Sequence, residues 1–156
     1  DDCASVVVAD DQQLMITADT LISGVHFPEQ TSAADIAYKA VMVNLSDLAA
    51  MGARPAWLTL AITLPVIDDS WLSEFSHTLQ QLLNRFNISL IGGDTTKGPL
   101  SITIQAMGLC AKGKLLQRTQ AKVGDSIFVT GFMGDAAIGL MALQNDLPDA
   151  ELKNCI

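Results

Sequence analysis

Carboxylates in unusual settings are the first chemistry this sequence offers. Asp1 and Asp2 precede an apolar segment, Asp19 closes a second one, Asp94 follows "LIGG", and Asp47 interrupts the apolar run "VNLSDLAAMG". Carboxylate oxygens without a His/Cys cluster suit Mg²⁺, a hard ion that takes oxygen ligands and keeps waters or phosphate oxygens. Asp47 is the least ordinary of them. Aspartate is a poor helix-interior residue because its side chain competes for nearby backbone groups, and burying it unpaired is costly. Asn44, three residues earlier, shares its helix face. The two are expected to form a polar notch, which either meets a ligand or is closed by buried hydrogen bonds. Asp1 and Asp2 also read as a solvated terminus, and Asp19 as a turn residue.

The stretch "LIGGDTTKGP" is the most informative loop. After a strand, Gly92 and Gly93 allow the backbone to approach a phosphate closely. Asp94 can hold a metal, and Thr95, Thr96 and Lys97 supply donors to anionic oxygen. A Gly-Asp turn closed by its own threonines is the plainer reading. "GLCAKGKL" has P-loop spacing as far as Lys114, but Leu115 replaces the Ser/Thr that would bind Mg²⁺, so a turn is expected there. "TGFMGDAAIG" lies between an expected strand and helix without the G-x-G-x-x-G spacing. His77 falls on the polar side of an amphipathic helix and reads as surface. His26 sits in a Gly-containing loop where a ligand can meet it. No Ser-His-Asp or Cys-His arrangement follows from the spacings.

The elements that must carry these residues can be read from periodicity. Residues 5–9 and 14–19 read as short strands around a polar turn. Ser32 starts a helix, with Asp35 favouring its first turn and Gly52 stopping it. The helix is apolar enough to be buried on more than one side. Residues 57–65 form a strand that Pro65 ends. "DDSWLSEFSHTLQQLLNRFN" is an amphipathic helix capped from residues 68–70, burying Trp71, Phe75, Leu79, Leu82, Leu83 and Phe86. Strands follow at 88–94 and 100–110. The fold class is thus α/β in an α+β layered form, a mixed sheet covered by helices. A boundary falls near residue 118, giving domains 1–118 and 119–156. "SIFVTGFMGDAAIGLMALQ" opens the second as strand, turn and helix, in a segment too short to bury a core.

Composition narrows the partners. Hydrophobic residues make up 49% and charged ones 17% of the 156, which describes a globular chain with a substantial core. Seventeen acidic against nine basic residues give a net charge of −8. Binding to nucleic acid, which needs a basic surface, is therefore not expected. Nor is a membrane span, since no apolar run approaches roughly 18 residues. The scattered Cys3, Cys110 and Cys155 exclude a C-x-x-C zinc site and suit reduced thiols in a cytoplasmic protein. The start at "DDCASVVVAD", without Met or leader, reads as an excised or truncated segment.

Taken together and in order, "DDCA", "TADTLISGVHF", "DIAYKAVMVNLSDLAAMGARPAWLTLAITLP", "LIGGDTTKGPLSIT" and "VGDSIFVTGFMGDAAIGL" resemble the bacterial thiamine-monophosphate kinases of the aminoimidazole ribonucleotide synthetase superfamily. The resemblance implies ATP-dependent transfer of the γ-phosphoryl group to thiamine monophosphate, giving thiamine diphosphate, with several Mg²⁺ ions. It implies metal ligands at Asp2, Thr17, Asp19, Asp47 and Asp94, and nucleotide contacts from Gly93, Asp94 and Arg118. His26 would contact the thiamine substrate, and no catalytic residue is assigned. Ala18 departs from the threonine often found there. The resemblance further implies a homodimer formed through the sheets, with ATP near that interface. It implies too that a later acidic motif and thiamine-binding segments lie outside this chain, which alone would be inactive or impaired. Two other readings remain: another ATP-dependent member of the superfamily, or a non-catalytic dimerisation module.

Overall fold

The structure, a computed structural model, describes residues 8–145. It divides into two compact units, Asp1–Thr119 and Gln120–Ile156. In the first, the elements run β1 (Gln12–Ile22), α1 (Ala33–Ala50), β2 (Arg54–Leu64), α2 (Asp69–Phe86), β3 (Ser89–Lys97) and β4 (Ser101–Ala111). The four strands make one mixed sheet in the order β1-β4-β2-β3. β4 is antiparallel to both its neighbours, and β2 and β3 are parallel. This is the α/β layered class that the sequence pattern predicts.

Local chemistry sets both helices. The Ser32 side chain accepts from the Asp35 amide at 3.1 Å and donates to Asp35 Oδ2 at 2.6 Å, closing the first turn of α1. A second α1 amide, that of Ala34, donates to Glu74 on α2 at 3.2 Å. At the other end Ala53 donates to the Leu48 carbonyl and Gly52 to that of Ala49, with Gly52 at φ 69°. This is a glycine-ended Schellman stop. Asn87 ends α2 by the same pattern at φ 54°. The Asp68 carboxylate caps α2, accepting from the Ser70 and Trp71 amides and the Ser70 hydroxyl. Those bonds, that of the Ser70 hydroxyl first, hold its carboxyl below the usual carboxylate range.

α1 lies against β1, β4 and β2 on one side and α2 on another, so its apolar surface is covered twice, as its composition requires. The core joins Ile36, Val41 and Leu48 of α1 to Leu58, Ile102 and Ile104 of the sheet. Phe75, Leu79 and Leu82 of α2 extend it, while Trp71, Leu83 and Phe86 pack at its margin. Within this unit the helices α1 and α2 lie on one face of the sheet. On the other, Ile16 and Ile22 remain exposed, and the hydroxyl pairs Thr20–Thr103 and Thr63–Thr96 lie at 2.8 and 3.1 Å.

Three expectations change. The glycine-rich stretch is not a loop: β3 runs through Asp94 to Lys97, because β2 offers ladder partners as far as Leu64. Residues 126–130 form no strand, since a strand needs a neighbour to bond to, and none lies among the described residues of the second unit. Helix α3 (Asp135–Asn145) forms where expected. Of the expected first strand, residues 5–7 lie outside the described residues, and Val8 and Ala9 belong to no strand. The turn expected after β4 forms at residues 112–113.

Candidate functional site

Alternation along β1 sends Thr17, Asp19 and Leu21 toward the helix layer and Ile16, Ala18 and Thr20 to the open face. Asp47 reaches toward β1 from α1, and the Thr17 hydroxyl donates to Asp47 Oδ2 at 2.7 Å. Both line a cavity of about 330 Å³ together with Met15, Leu48, Met51 and Arg118. Arg118 is brought there by the segment after β4, whose Leu116 amide donates to the Met51 carbonyl at 3.2 Å. Asp19 stands two positions beyond Thr17 on the same face, about 7 Å along the strand.

The polar notch is real but divided. Asn44 is fully buried, with its amide nitrogen donating to the Ala40 carbonyl at 3.0 Å and its Oδ1 without a partner among the described residues. Asp47 is exposed. Three residues turn a helix through about 300°, so the two side chains diverge by about 60°. That is enough to take one into the core and the other to the rim. Asp47 therefore carries no burial penalty, and its place in an apolar helix follows from the edge of β1 beside it.

Gly93 and Asp94 occupy a different place. They line a shallow hollow of about 520 Å³ with Leu60 and Ile62 of β2 and Thr95 of β3. Asp94 pairs with Ala61 in register, on the open face, and its Oδ1 accepts from the Thr95 amide at 2.9 Å. β1 and β3 are opposite edges of the sheet. Within one chain Asp94 is thus separated from Thr17 and Asp47 by two strands, about 14 Å in all. Among the described residues no three His, Cys, Asp or Glu side chains cluster tightly enough to hold a metal by themselves. Asp2 lies outside the described residues.

His26 lies in the loop between β1 and α1. Its Nδ1 accepts from the Ile22 amide at 3.0 Å, and its carbonyl accepts from Lys39 Nζ. Sequence reading passed over Lys39. The available signal was that it is the only basic residue in α1. His77 is exposed, its Nε2 2.9 Å from Gln81 Nε2, as its place on the polar side of α2 leads one to expect. Cys110 is a buried free thiol. No helix of the described residues is long and apolar enough to cross a membrane.

A one-face-covered mixed sheet with threonine and aspartate at its β1 edge, and Gly-Asp at its β3 edge, has a counterpart among known proteins. Residues 1–110 match the profile of the AIR synthase related protein N-terminal domain, and the chain belongs to that family. Within it, the chain is 54% identical over 154 residues to thiamine-monophosphate kinase of Escherichia coli K12, covering 99% of this chain and 47% of that protein. It superimposes on thiamine-monophosphate kinase of Stenotrophomonas maltophilia K279a with a TM-score of 0.88 at 51% identity, over 94% of this chain and 46% of that one. It superimposes also on AaThiL complexed with AMPPCP and TMP, with a TM-score of 0.83 at 28% identity, over 92% of this chain and 46% of that one. The chain spans about half the length of the curated relatives it matches.

Proposed function

We propose that this chain supplies the nucleotide- and metal-binding half of a thiamine-monophosphate kinase. Such an enzyme transfers the γ-phosphoryl group of ATP to the phosphate of thiamine monophosphate. The observation that carries the reading is the cavity shared by Thr17, Asp47 and Arg118, in a chain 54% identical to an enzyme of that name. The ligand pair of AaThiL, AMPPCP and TMP, is read here as an ATP analogue with the acceptor substrate.

The donor set fits Mg²⁺. Thr17, Asp19 and Asp47 offer hard oxygens without His or Cys, and Mg²⁺ needs only one or two carboxylates when phosphates and waters complete its shell. Bound there, the ion would neutralise charge on the phosphates. Arg118, on the same cavity wall, suits bidentate contact with a phosphate. Phosphoryl transfer asks for positioning and charge neutralisation more than for covalent help from the protein, so the lack of a general base is no obstacle. Asp94 and Gly93, on the far edge, would serve the site of a second copy in a homodimer built on the open sheet faces. Residues 1–118 would form this binding and dimerisation domain, with 119–156 opening the next, in the cytoplasm.

The test grafts this chain in place of the 154 matched residues of the Escherichia coli relative. Formation of thiamine diphosphate from ATP and thiamine monophosphate, dependent on Mg²⁺, is expected. Asp47→Asn should reduce that rate by at least about 10²-fold, while changing unfolding stability by no more than the roughly 0.5 kcal/mol typical of exposed sites. An active Asp47→Asn chimera would sink the assignment.

A further inference from the structure

We infer that Lys39 is a positioning residue that fixes the loop carrying His26 and, through it, the tautomer His26 offers to a ligand. The inference rests on the proposed kinase function and on the thiamine contact that the sequence resemblance implies for His26. Residues 23–29 leave β1 and return toward α1 in a compact turn. The Val25 and His26 amides both donate to the Ile22 carbonyl, at 3.2 and 2.9 Å, and the Gly24 amide donates to the Phe27 carbonyl at 2.9 Å. Phe27 is buried in the core and anchors the base of the turn.

Two further bonds determine what the turn displays. The Ile22 amide donates to His26 Nδ1 at 3.0 Å. A neutral imidazole accepts at one nitrogen only, so its proton is on Nε2. On the other side Lys39 Nζ donates to the His26 carbonyl. A charged donor makes the stronger kind of hydrogen bond, and this one ties the apex of the turn to the rigid helix α1. Together the two bonds hold the backbone and the ring of a single exposed residue. His26 is thereby set to donate Nε2–H to an acceptor atom of the substrate. Lys39 is committed to the loop and does not itself touch the substrate.

Imidazole ¹⁵N spectra of the full chain at about pH 8.5, above the usual imidazole range, test this directly. The chain has two histidines, and His77→Gln assigns them. His26 should show one tautomer, with Nε2 protonated and Nδ1 accepting. Lys39→Met should move it toward the mixed-tautomer average of a free imidazole and speed deuterium exchange at the Ile22 amide by about tenfold. Lys39→Arg, which keeps a charged donor, should restore both. A mixed tautomer in the unaltered chain, or an unchanged His26 in Lys39→Met, would overturn the inference. In the chimera, Lys39→Met should raise KM for thiamine monophosphate about tenfold and leave KM for ATP in place. A shifted tautomer with an unchanged KM would confirm the hold of Lys39 on His26 and overturn the substrate contact on which its purpose rests.

Discussion

At Gly93 an added Cβ would lie 1.9 Å from the Leu60 carbonyl oxygen and 2.8 Å from its carbon. At neighbouring Gly92 it would meet only the Thr59 methyl, at 3.8 Å. The first contact is with backbone of the paired strand β2 and cannot be relieved by a side-chain rotation. The second is ordinary van der Waals contact. Gly93→Ala should therefore cost about 3 kcal/mol, a Tm fall of roughly 6–12 °C for a chain of this size, whereas Gly92→Ala should change Tm little. Thermal unfolding of the two variants side by side checks this, and equal losses would refute the close-approach account. At this scale the sequence was partly transparent. A Gly-Gly pair signals close backbone approach, but nothing in it says that the approach is to β2. For Asp47 periodicity leaves a ligand contact and buried hydrogen bonds both open, and only the position of β1 shows that Asn44 is the buried one and Asp47 lies at the rim.

Among the elements, α2 offers the sharpest test, since one carboxylate closes its first turn. Asp68 accepts from two backbone amides and a hydroxyl, and its folded pKa is lowered from the ordinary 3.8. A lowered carboxylate pKa contributes stability that is full above the unfolded value and is lost as pH falls through the folded one. Asp68→Ala should lower Tm by a few degrees near neutrality. The gap to the unaltered chain should then close on acidification from about pH 5 to below 3. A gap that stays constant over that range would show that the charge contributes nothing. Helices α1 and α2 were legible because caps, stripes and stops are local signals. The extent of β3 was not, because Gly92, Gly93 and Asp94 are weak strand formers and only pairing with β2 extends the strand through them. The opposite failure at residues 126–130 has the same cause, a good strand sequence without a neighbour among the described residues.

For the molecule as a whole, the strand order decides how the candidate site can be completed. β1 carries Thr17 and Asp19, β3 carries Gly93 and Asp94, and β4 and β2 lie between them. A chain acting alone would have to bridge its own sheet. Two copies with their open faces together, related by a twofold axis along the strands, would instead bring the β3 edge of each toward the β1 edge of the other. That face suits contact, with the small Thr20, Ala61 and Thr103 in one cross-strand row and exposed Ile16 and Ile22 beside them. In solution the chain should have about twice its 16.6 kDa mass by light scattering, and Thr103→Arg, placing a charge mid-face, should return it to the monomer. Complementation distinguishes a shared site from mere association. In the chimeric enzyme, Asp47→Asn and Asp94→Asn should each be inactive. After unfolding and random reassembly of an equal mixture, half the dimers pair one variant with the other, and one of the two sites in each is intact. About a quarter of the unaltered activity should return. If each chain builds its own site, every site keeps one damaged ligand and the mixture stays inactive.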